Sequence, residues 1–369
     1  MKKVGVLTFH CADNCGAMLQ AYGLKHYLNE RGIETDIIDY EPFFMTGRHW
    51  WIPYIPVGNI TRIIKIGLYG WKNNQKKGKF FFRRRANMKR FRKGYLIEKK
   101  QRKIFFTYQM RSLPYQYYIV GSDQIWNPDI TCGLRKVYFG DFENRNKQKV
   151  IAYAASLGSS AFSEHYDKEF SDLIKSMDAV SVRESAAIIY IKQFYSGKIL
   201  AVPDPVFLLK KREWEKIERL PDKDGYIFVY ITENNNMLLD YVKALAKNRG
   251  LSIIRIENGI EISDEDFITD YLAGPSEFLG YIHKADYVIT NSFHAIAFSI
   301  IYHKKFVAFK HGSVGERITN ILRYYGLENR LYKENANVKI DDAVDWERIE
   351  KKIEESVSVA WKFLEENIG

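Results

Sequence analysis

The rhythm of the chain constrains it most: short runs of β-branched and aromatic residues alternate with longer segments of helical period, as in a parallel sheet built from βαβ units. In the first half the strand-like runs are Val4–Phe9, Thr35–Asp39, Tyr117–Val120, Val150–Ala154, Ala179–Val182 and Ile199–Val202. Helical spacing covers Ala17–Arg31, Ser163–Met177 and Glu184–Phe194, and a basic helical excursion at roughly 60–95 interrupts the order. The rhythm restarts near Gly225. Strands are predicted at Tyr226–Ile231, Ser252–Ile256, Tyr287–Thr290 and Phe306–Phe309, and helices at Met237–Asn248, Pro275–His283, Ser292–Tyr302 and Gly315–Tyr325. Pro221-Asp222-Lys223-Asp224-Gly225 reads as a polar hinge between the halves.

A last helix, Asp345 to about Glu366, spaces Ile349, Ile353, Val357 and Trp361 by four, so it is expected to pack back across a domain surface. Length agrees with two cores, since 369 residues with 46% apolar content exceed what one core holds. The expected fold class is α/β: two Rossmann-like domains with parallel sheets facing a cleft, as in GT-B enzymes. The first would span 1–220, with a basic insertion at about 60–103, and the second 225–369, with the closing helix.

Lysines precede an N-terminal apolar run too short for a secretion signal, and lysine or arginine interrupts every longer run before the roughly 20 residues a bilayer crossing needs. A cytoplasmic protein, soluble or peripheral on the inner membrane face, is the expectation. Cys11, Cys15 and Cys132 cannot all pair and match no zinc spacing, so they read as reduced thiols. His10 with Cys11 and Cys15 is too irregular a set for a metal site, and no metal is expected. The net charge of +11 is concentrated between Lys65 and Lys103, where Glu98 is the single acid. Such a block attracts anions. Trp50-Trp51-Ile52, Trp71 and Phe80-Phe81-Phe82 lie before or within it, which suits an anionic membrane surface and equally a solvated helical face over core aromatics. No nucleic-acid recognition motif accompanies the charge, so no nucleic acid is expected as a partner.

Ligands of open α/β sheets bind at the carboxyl ends of the strands. Tyr117–Val120 runs into Gly121-Ser122-Asp123-Gln124-Ile125-Trp126-Asn127-Pro128, which sets a hydroxyl, a carboxylate, an indole and an amide on one crest. The set suits a sugar; equally, Ser122 and Asp123 can cap a turn while Trp126 fills a core. In the second half, Tyr287–Thr290 hands over to Asn291-Ser292-Phe293-His294-Ala295, where free amides of a helix start favour an anion and place His294 in the first turn. Val180-Ser181-Val182-Arg183-Glu184 sets an arginine at another strand end, either an anion clamp or a salt-bridge partner of Glu184 or another acid. Asp204, between Pro203 and Pro205, reads as a base or a rigid turn. The loop Asp13-Asn14-Cys15-Gly16-Ala17 has a single glycine, far from a dinucleotide fingerprint, so neither a nicotinamide nor a flavin cofactor is expected.

Taken together these crests resemble the polysaccharide pyruvyl transferase family. The likeness runs nearly end to end, through Asn14-Cys15-Gly16-Ala17-Met18-Leu19-Gln20-Ala21-Tyr22, Val120 to Pro128, Ala152-Tyr153-Ala154-Ala155-Ser156-Leu157-Gly158, Ser181-Val182-Arg183-Glu184, Asp204-Pro205 and Thr290 to Ala295. Ala295 departs from the glycine many members carry. The resemblance implies transfer of pyruvate from phosphoenolpyruvate to two hydroxyls of one sugar as a cyclic ketal, with release of phosphate. The acceptor would be a bacterial surface polysaccharide or its lipid-diphosphate-linked precursor. Phosphoenolpyruvate is then the donor substrate, and no cofactor is required. On that reading His294 is the phosphate ligand or proton donor and Asp123 the base or the carboxylate that orients a hydroxyl. Arg183, Lys310, Ser292, Asn291 and Arg317 hold the donor; Ser122, Trp126, Asn127 and Asn14 hold the acceptor. The rival reading is a GT-B glycosyltransferase that uses a nucleotide sugar on a lipid-linked acceptor, with Glu316 on the ribose hydroxyls.

Overall fold

The structure is a computed structural model that describes residues 2–42, 45, 83–142, 148–260, 262, 264–310, 315–334 and 338–369. Positions 60–82 of the basic excursion, with Trp50, Trp51, Ile52, Trp71 and Phe80 to Phe82, lie outside the described residues. The chain divides into two compact units, one comprising Met1–Asp13, Ala17–Leu208 and Val357–Gly369, the other Asn14–Gly16 and Leu209–Ser356.

The first unit holds a six-stranded parallel sheet in the order β2-β1-β3-β4-β5-β6. Its strands are β1 (Lys3–Leu7), β2 (Glu34–Ile37), β3 (Tyr117–Gly121), β4 (Lys149–Ala155), β5 (Ala179–Val182) and β6 (Ile199–Ala201). Helix α1 (Cys15–Asn29) follows β1, α2 occupies 83–91, and α3 (Pro128–Thr131), α4 (Asp167–Ile174) and α5 (Ala187–Ile191) complete the unit. Sheets covered on both faces need near-continuous apolar strands. β3 and β4 meet that demand, for each is buried along almost its whole length. β4 carries a register shift between Ala152 and Ala155, where Ala154 has φ 48°. The Ser181 hydroxyl stitches the irregularity: it accepts the Ala154 N–H at 3.2 Å and donates to the Ala152 carbonyl at 2.9 Å. An otherwise apolar β5 therefore spends one residue on a hydroxyl.

The second unit holds a five-stranded parallel sheet in the order β11-β10-β7-β8-β9. The strands are β7 (Tyr226–Tyr230), β8 (Ser252–Ile256), β9 (Phe267–Asp270), β10 (Tyr287–Thr290) and β11 (Lys305–Ala308). Its helices are α6 (Lys211–Glu215), α7 (Asn236–Arg249), α8 (Pro275–Lys284), α9 (Phe293–Ile301) and α10 (Gly315–Tyr325). The α/β expectation holds, with parallel sheets throughout. β9 escaped the periodicity because it is an edge strand with only Phe267 buried, directly behind the acids Asp264, Glu265 and Asp266.

Two boundaries differ from the sequence reading. The division falls between Leu208 and Leu209, upstream of 221–225. Trp214 of α6 is fully buried against Phe298, ring centroids 5.0 Å apart, and the Arg219 N–H donates to the Ser276 carbonyl at 2.9 Å. A Cβ on Gly280 would lie 1.9 Å from the Arg219 carbonyl oxygen, so α8 accepts this segment only because that position is glycine. The 221–225 turn is internal to the second unit, held by Lys284, which donates to the Pro221 carbonyl and pairs with Asp224.

The closing helix, α11 (Trp346–Ile368), leaves the second unit at Ser356, and 357–369 belong to the first. There Trp361 meets Tyr27 at 6.1 Å and lies 5.0 Å from the Arg31 guanidinium, while Ala360, Phe363 and Leu364 are buried. Among the described residues no helix is long and apolar enough to cross a membrane. Leu364→Ala should cost about 2–5 kcal/mol by opening a cavity; urea unfolding followed by tryptophan fluorescence measures it, and a change within error would mean that this turn adds nothing to the first core.

Candidate functional site

The strand ends of the first unit are locked by a buried polar knot. At the end of β3, Gly121 has φ 122°, and a Cβ there would lie 2.2 Å from the Tyr153 carbonyl oxygen of β4, so no other residue fits. The next residue, Ser122, is wholly buried, and its hydroxyl donates to Asp204 Oδ2 at 3.3 Å. The same oxygen accepts Arg183 Nη1 at 2.8 Å, and Arg183 Nε donates to Glu184 Oε1 at 2.9 Å. Asp204 Oδ1 takes the Val206 N–H at 3.1 Å. Three strand ends, those of β3, β5 and β6, are thereby joined through one carboxylate. Burial opposes the Arg183 cation, but Glu184, Asp204 and Asp123 outweigh it and hold its pKa above the ordinary arginine range.

Two sequence assignments change here. Arg183, with its side chain only 4% exposed, is a strut between carboxylates rather than a donor clamp. Asp204 is the anchor of that strut, and the Ser122 hydroxyl is committed to it instead of an acceptor.

Trp126 is corrected as well. Its indole is 0% exposed, stacks on Phe139 at 5.2 Å, meets Phe170 edge-on and donates Nε1–H to the Tyr138 carbonyl at 2.9 Å. It is a core residue and offers no face to a sugar. Asn127 caps α3 by accepting the Asp129 N–H and donates Nδ2–H to Gln124 Oε1 at 2.8 Å, so its amide is engaged locally. Asp123 differs from these neighbours. It is half-buried with φ 65°; its Oδ1 accepts the adjacent Gln124 N–H, and its carboxylate contributes to the field on Arg183.

Beside this knot lies Gln20, part of the Asn14 to Tyr22 string. It is fully buried, donating to Thr8 Oγ1 at 2.7 Å and to the Ala17 carbonyl at 2.9 Å, while the Thr8 hydroxyl donates to the Ser122 carbonyl. A polar residue on the apolar face of α1 was the available signal. His10 is also buried, its ring nitrogens 3.2 Å from the Thr8 carbonyl and 3.1 Å from Asp39 Oδ1. Part of the basic block works nearby: Arg84 donates to the Asp13 carbonyl, Arg85 pairs with the Asp13 carboxylate, and Arg92 and Lys103 both pair with Glu41. These cations neutralise buried or half-buried acids far away in sequence, a pairing that composition cannot disclose.

In the second unit, β10 ends in Thr290-Asn291-Ser292 before α9. Asn291 is 1% exposed; its Oδ1 accepts the Thr232 N–H at 2.7 Å and its Nδ2 donates to the Glu233 carbonyl at 2.8 Å. It therefore ties β10 to the loop after β7 and is corrected from donor ligand to strut. Ser292 occupies the N-cap of α9, and among the described residues its hydroxyl makes no capping bond. His294 lies in the first turn of α9, 9% exposed, edge-on to Phe293 at 5.4 Å.

Gly16 belongs to this unit, and a Cβ on it would fall 2.2 Å from His294 Nδ1. The glycine of the Asn14-Cys15-Gly16 string is thus the space into which the imidazole fits. Asn14 is exposed. On the neighbouring strand the Phe309 N–H bonds the Thr290 carbonyl at 2.8 Å, which sets the exposed Lys310 level with Ser292. Arg317 is half-buried in the first turn of α10, whose Gly315 would carry a Cβ 3.7 Å from Lys310 Cβ. His294, Ser292 and Lys310 thus share one sheet end, with the start of α9 and the positive pole of its dipole beside them.

Two outcomes are expected. Removing one partner from a buried ion pair costs about 3–5 kcal/mol, so Arg183→Ala should unfold at much lower urea than the parent; near-parent stability would mean the knot is dispensable. The Asp39 carboxyl is raised by burial, but its bond to His10 and the charges of His10, Arg92 and Lys103 outweigh this and leave it below its ordinary value of 3.8. A carboxyl depressed in the folded state stabilises above its unfolded value and loses that contribution as pH falls below it. Asp39→Asn should therefore flatten the acid limb of a stability–pH profile measured by urea unfolding.

Comparison with known proteins adds a family. The family model described as polysaccharide pyruvyl transferase matches residues 14–313. No curated protein matches the chain. Similar solved structures include the UDP co-structure of S. aureus MnaA, with 11% identity, 100% of this chain and 91% of that chain covered, and a TM-score of 0.48. Another is UDP-GlcNAc 2-epimerase from Neisseria meningitidis bound to UDP-GlcNAc, with 10% identity, full coverage of both chains and a TM-score of 0.47. A third is Arabidopsis thaliana UGT89C1 complexed with quercetin, with 11% identity, 99% and 98% coverage and a TM-score of 0.49.

Proposed function

The chain belongs to the polysaccharide pyruvyl transferase family, and from that premise we propose that it moves pyruvate from phosphoenolpyruvate onto two hydroxyls of one sugar. The product is a cyclic ketal on a surface polysaccharide or its lipid-linked precursor, and inorganic phosphate leaves. One observation carries the reading: the family match spans every strand-end motif, from Asn14 to the residues after Lys310. No cofactor or metal is invoked, because lysine and a helix start can balance the donor's charge.

The chemistry sets its own demands. The donor's methylene carbon gains a proton, and the resulting oxocarbenium carbon is captured by the first sugar hydroxyl, which loses its proton. The carbon–oxygen bond to phosphate then breaks, phosphate departs with a proton, and the second hydroxyl closes the ketal as it gives up its own. The two hydroxyl protons thus balance the one gained by carbon and the one carried off by phosphate. An acid is required at carbon, a base at the hydroxyls, and cations for a donor with about three negative charges.

His294 fits the acid or phosphate-ligand role, since it sits in the first turn of α9 with Ser292 at the N-cap and Lys310, two residues past the end of β11, level with that serine. Lys310 serves as the anion clamp that Arg183 cannot be, and Arg317 is a second cation on the same sheet end. Asp123 fits the base or hydroxyl-orienting role. It is the half-buried carboxylate of its crest, whereas Asp204 is locked inside the knot.

The test is phosphate release and a pyruvyl mass increment on galactose- or mannose-type acceptors, with no nucleoside diphosphate formed. Loss of a general acid or base typically costs 10²–10⁴-fold in rate, so His294→Ala and Asp123→Asn are each expected in roughly that range. Thermal unfolding should be unchanged in both, and phosphoenolpyruvate binding retained in the second. Near-normal turnover in His294→Ala would sink the catalytic assignment; a pure donor-binding defect in Asp123→Asn would reverse its role.

A further inference from the structure

β2 is the outer strand of the first unit's sheet, and an open edge needs cover. Residues 98–112 supply it. Gln101 Nε2 donates to the Ile37 carbonyl at 2.6 Å, the Ile104 N–H to the Asp39 carbonyl at 2.8 Å and the Glu41 N–H to the Ile104 carbonyl at 2.8 Å, with a bridge between Tyr40 and Ile104. Ile104 is the inward anchor, 1% exposed. Beyond it the side chains turn outward: Phe105, Phe106 and Tyr108 are 39%, 51% and 59% exposed.

They are held there firmly, because Gln109 Oε1 accepts the N–H of both Phe105 and Phe106 at 2.9 Å. The Phe106 and Tyr108 rings stack at 5.8 Å and 15°. Lys103 Nζ lies 5.8 Å from the Phe105 ring and pairs with Glu41 while still 41% exposed. Lys99, Lys100 and Arg102 are exposed, and among the described residues none of them pairs with an acid. From Lys99 to Tyr108 there are four cations and no acid.

We propose that this aromatic–cationic strip docks the protein onto an anionic phospholipid surface, its rings entering the headgroup boundary and Lys99, Lys100, Arg102 and Lys103 facing lipid phosphates. Three outward aromatics fixed on one ordered turn are more than scattered surface apolarity requires. Their setting among cations selects a partner that offers apolar depth and negative charge together, as an anionic lipid surface does. A second copy of the chain is disfavoured, since apposing two such strips would bring like charges together. An acidic protein surface would answer the charge without accepting three rings side by side.

Flotation of the full chain separates these cases, using vesicles of phosphatidylglycerol in phosphatidylcholine against phosphatidylcholine alone. The protein should float with the anionic vesicles only, and less as salt rises. At about one kcal/mol per cation near such a surface, the K99E/K100E variant should lose at least roughly tenfold in partitioning. F106A/Y108A should lose a comparable factor, and both variants should keep the parent melting temperature. The proposal is overturned if the parent stays at the bottom with anionic vesicles, or if both variants float like the parent. It is also overturned if F106A/Y108A abolishes a dimer seen by ultracentrifugation while the parent does not float.

Discussion

The architecture of the first unit's strand ends depends on one buried ion pair, Arg183 with Asp204. A carboxylate removed from water is costly unless its lone pairs are filled, and Asp204 fills them with a guanidinium, a serine hydroxyl and a backbone amide drawn from three segments. The arrangement fixes the relative positions of β3, β5 and β6 at the edge where a ligand of this fold class would bind. It also leaves Asp123 next to a permanent positive charge yet outside the hydrogen bonds that hold it. The knot supplies the frame, and Asp123 is what the frame presents.

A family motif need not be a list of ligand contacts. Of the string from Gly121 to Pro128, Gly121 answers a backbone clash, Ser122 belongs to the knot, Trp126 fills the core and Asn127 caps a short helix. Asp123 is half-buried, and its carboxylate accepts the Gln124 N–H without joining the knot's hydrogen bonds. The string from Asn291 to His294 divides in the same way: the asparagine joins two strand ends, and the serine and histidine stand at a helix start. Most of each recognisable string maintains the local geometry of its strand end.

Strand positions and helix faces were legible because burial on both sides of a parallel sheet leaves long apolar runs, as in β3, β4, β7 and β10 among the described residues. β9 did not, since an edge strand with one buried side chain has no such run. The crests, too, were legible as places. What each polar residue does there was not, because that depends on partners distant in the chain: Arg183 on Asp204, Asn291 on Thr232, Arg85 on Asp13. A sequence reports that an arginine follows a strand, and only the fold reports whether a carboxylate already holds it. Gly16 is the reverse case, a residue with no side chain whose meaning is the imidazole that occupies its place.

The return of α11 bears on how the protein is made. The first unit gathers residues from both sides of the second, and Ala360, Phe363 and Leu364 are buried in the segment that joins it from the far side. On the ribosome, the first unit must wait with an uncovered apolar surface while the whole of the second is synthesised. Its last layer arrives only when the final helix emerges. The second unit, apart from Asn14–Gly16, is continuous and has every strand in hand before that helix appears. Completion in the cell therefore runs against the order of the chain, and the unit translated first is the one that depends longest on protection from aggregation.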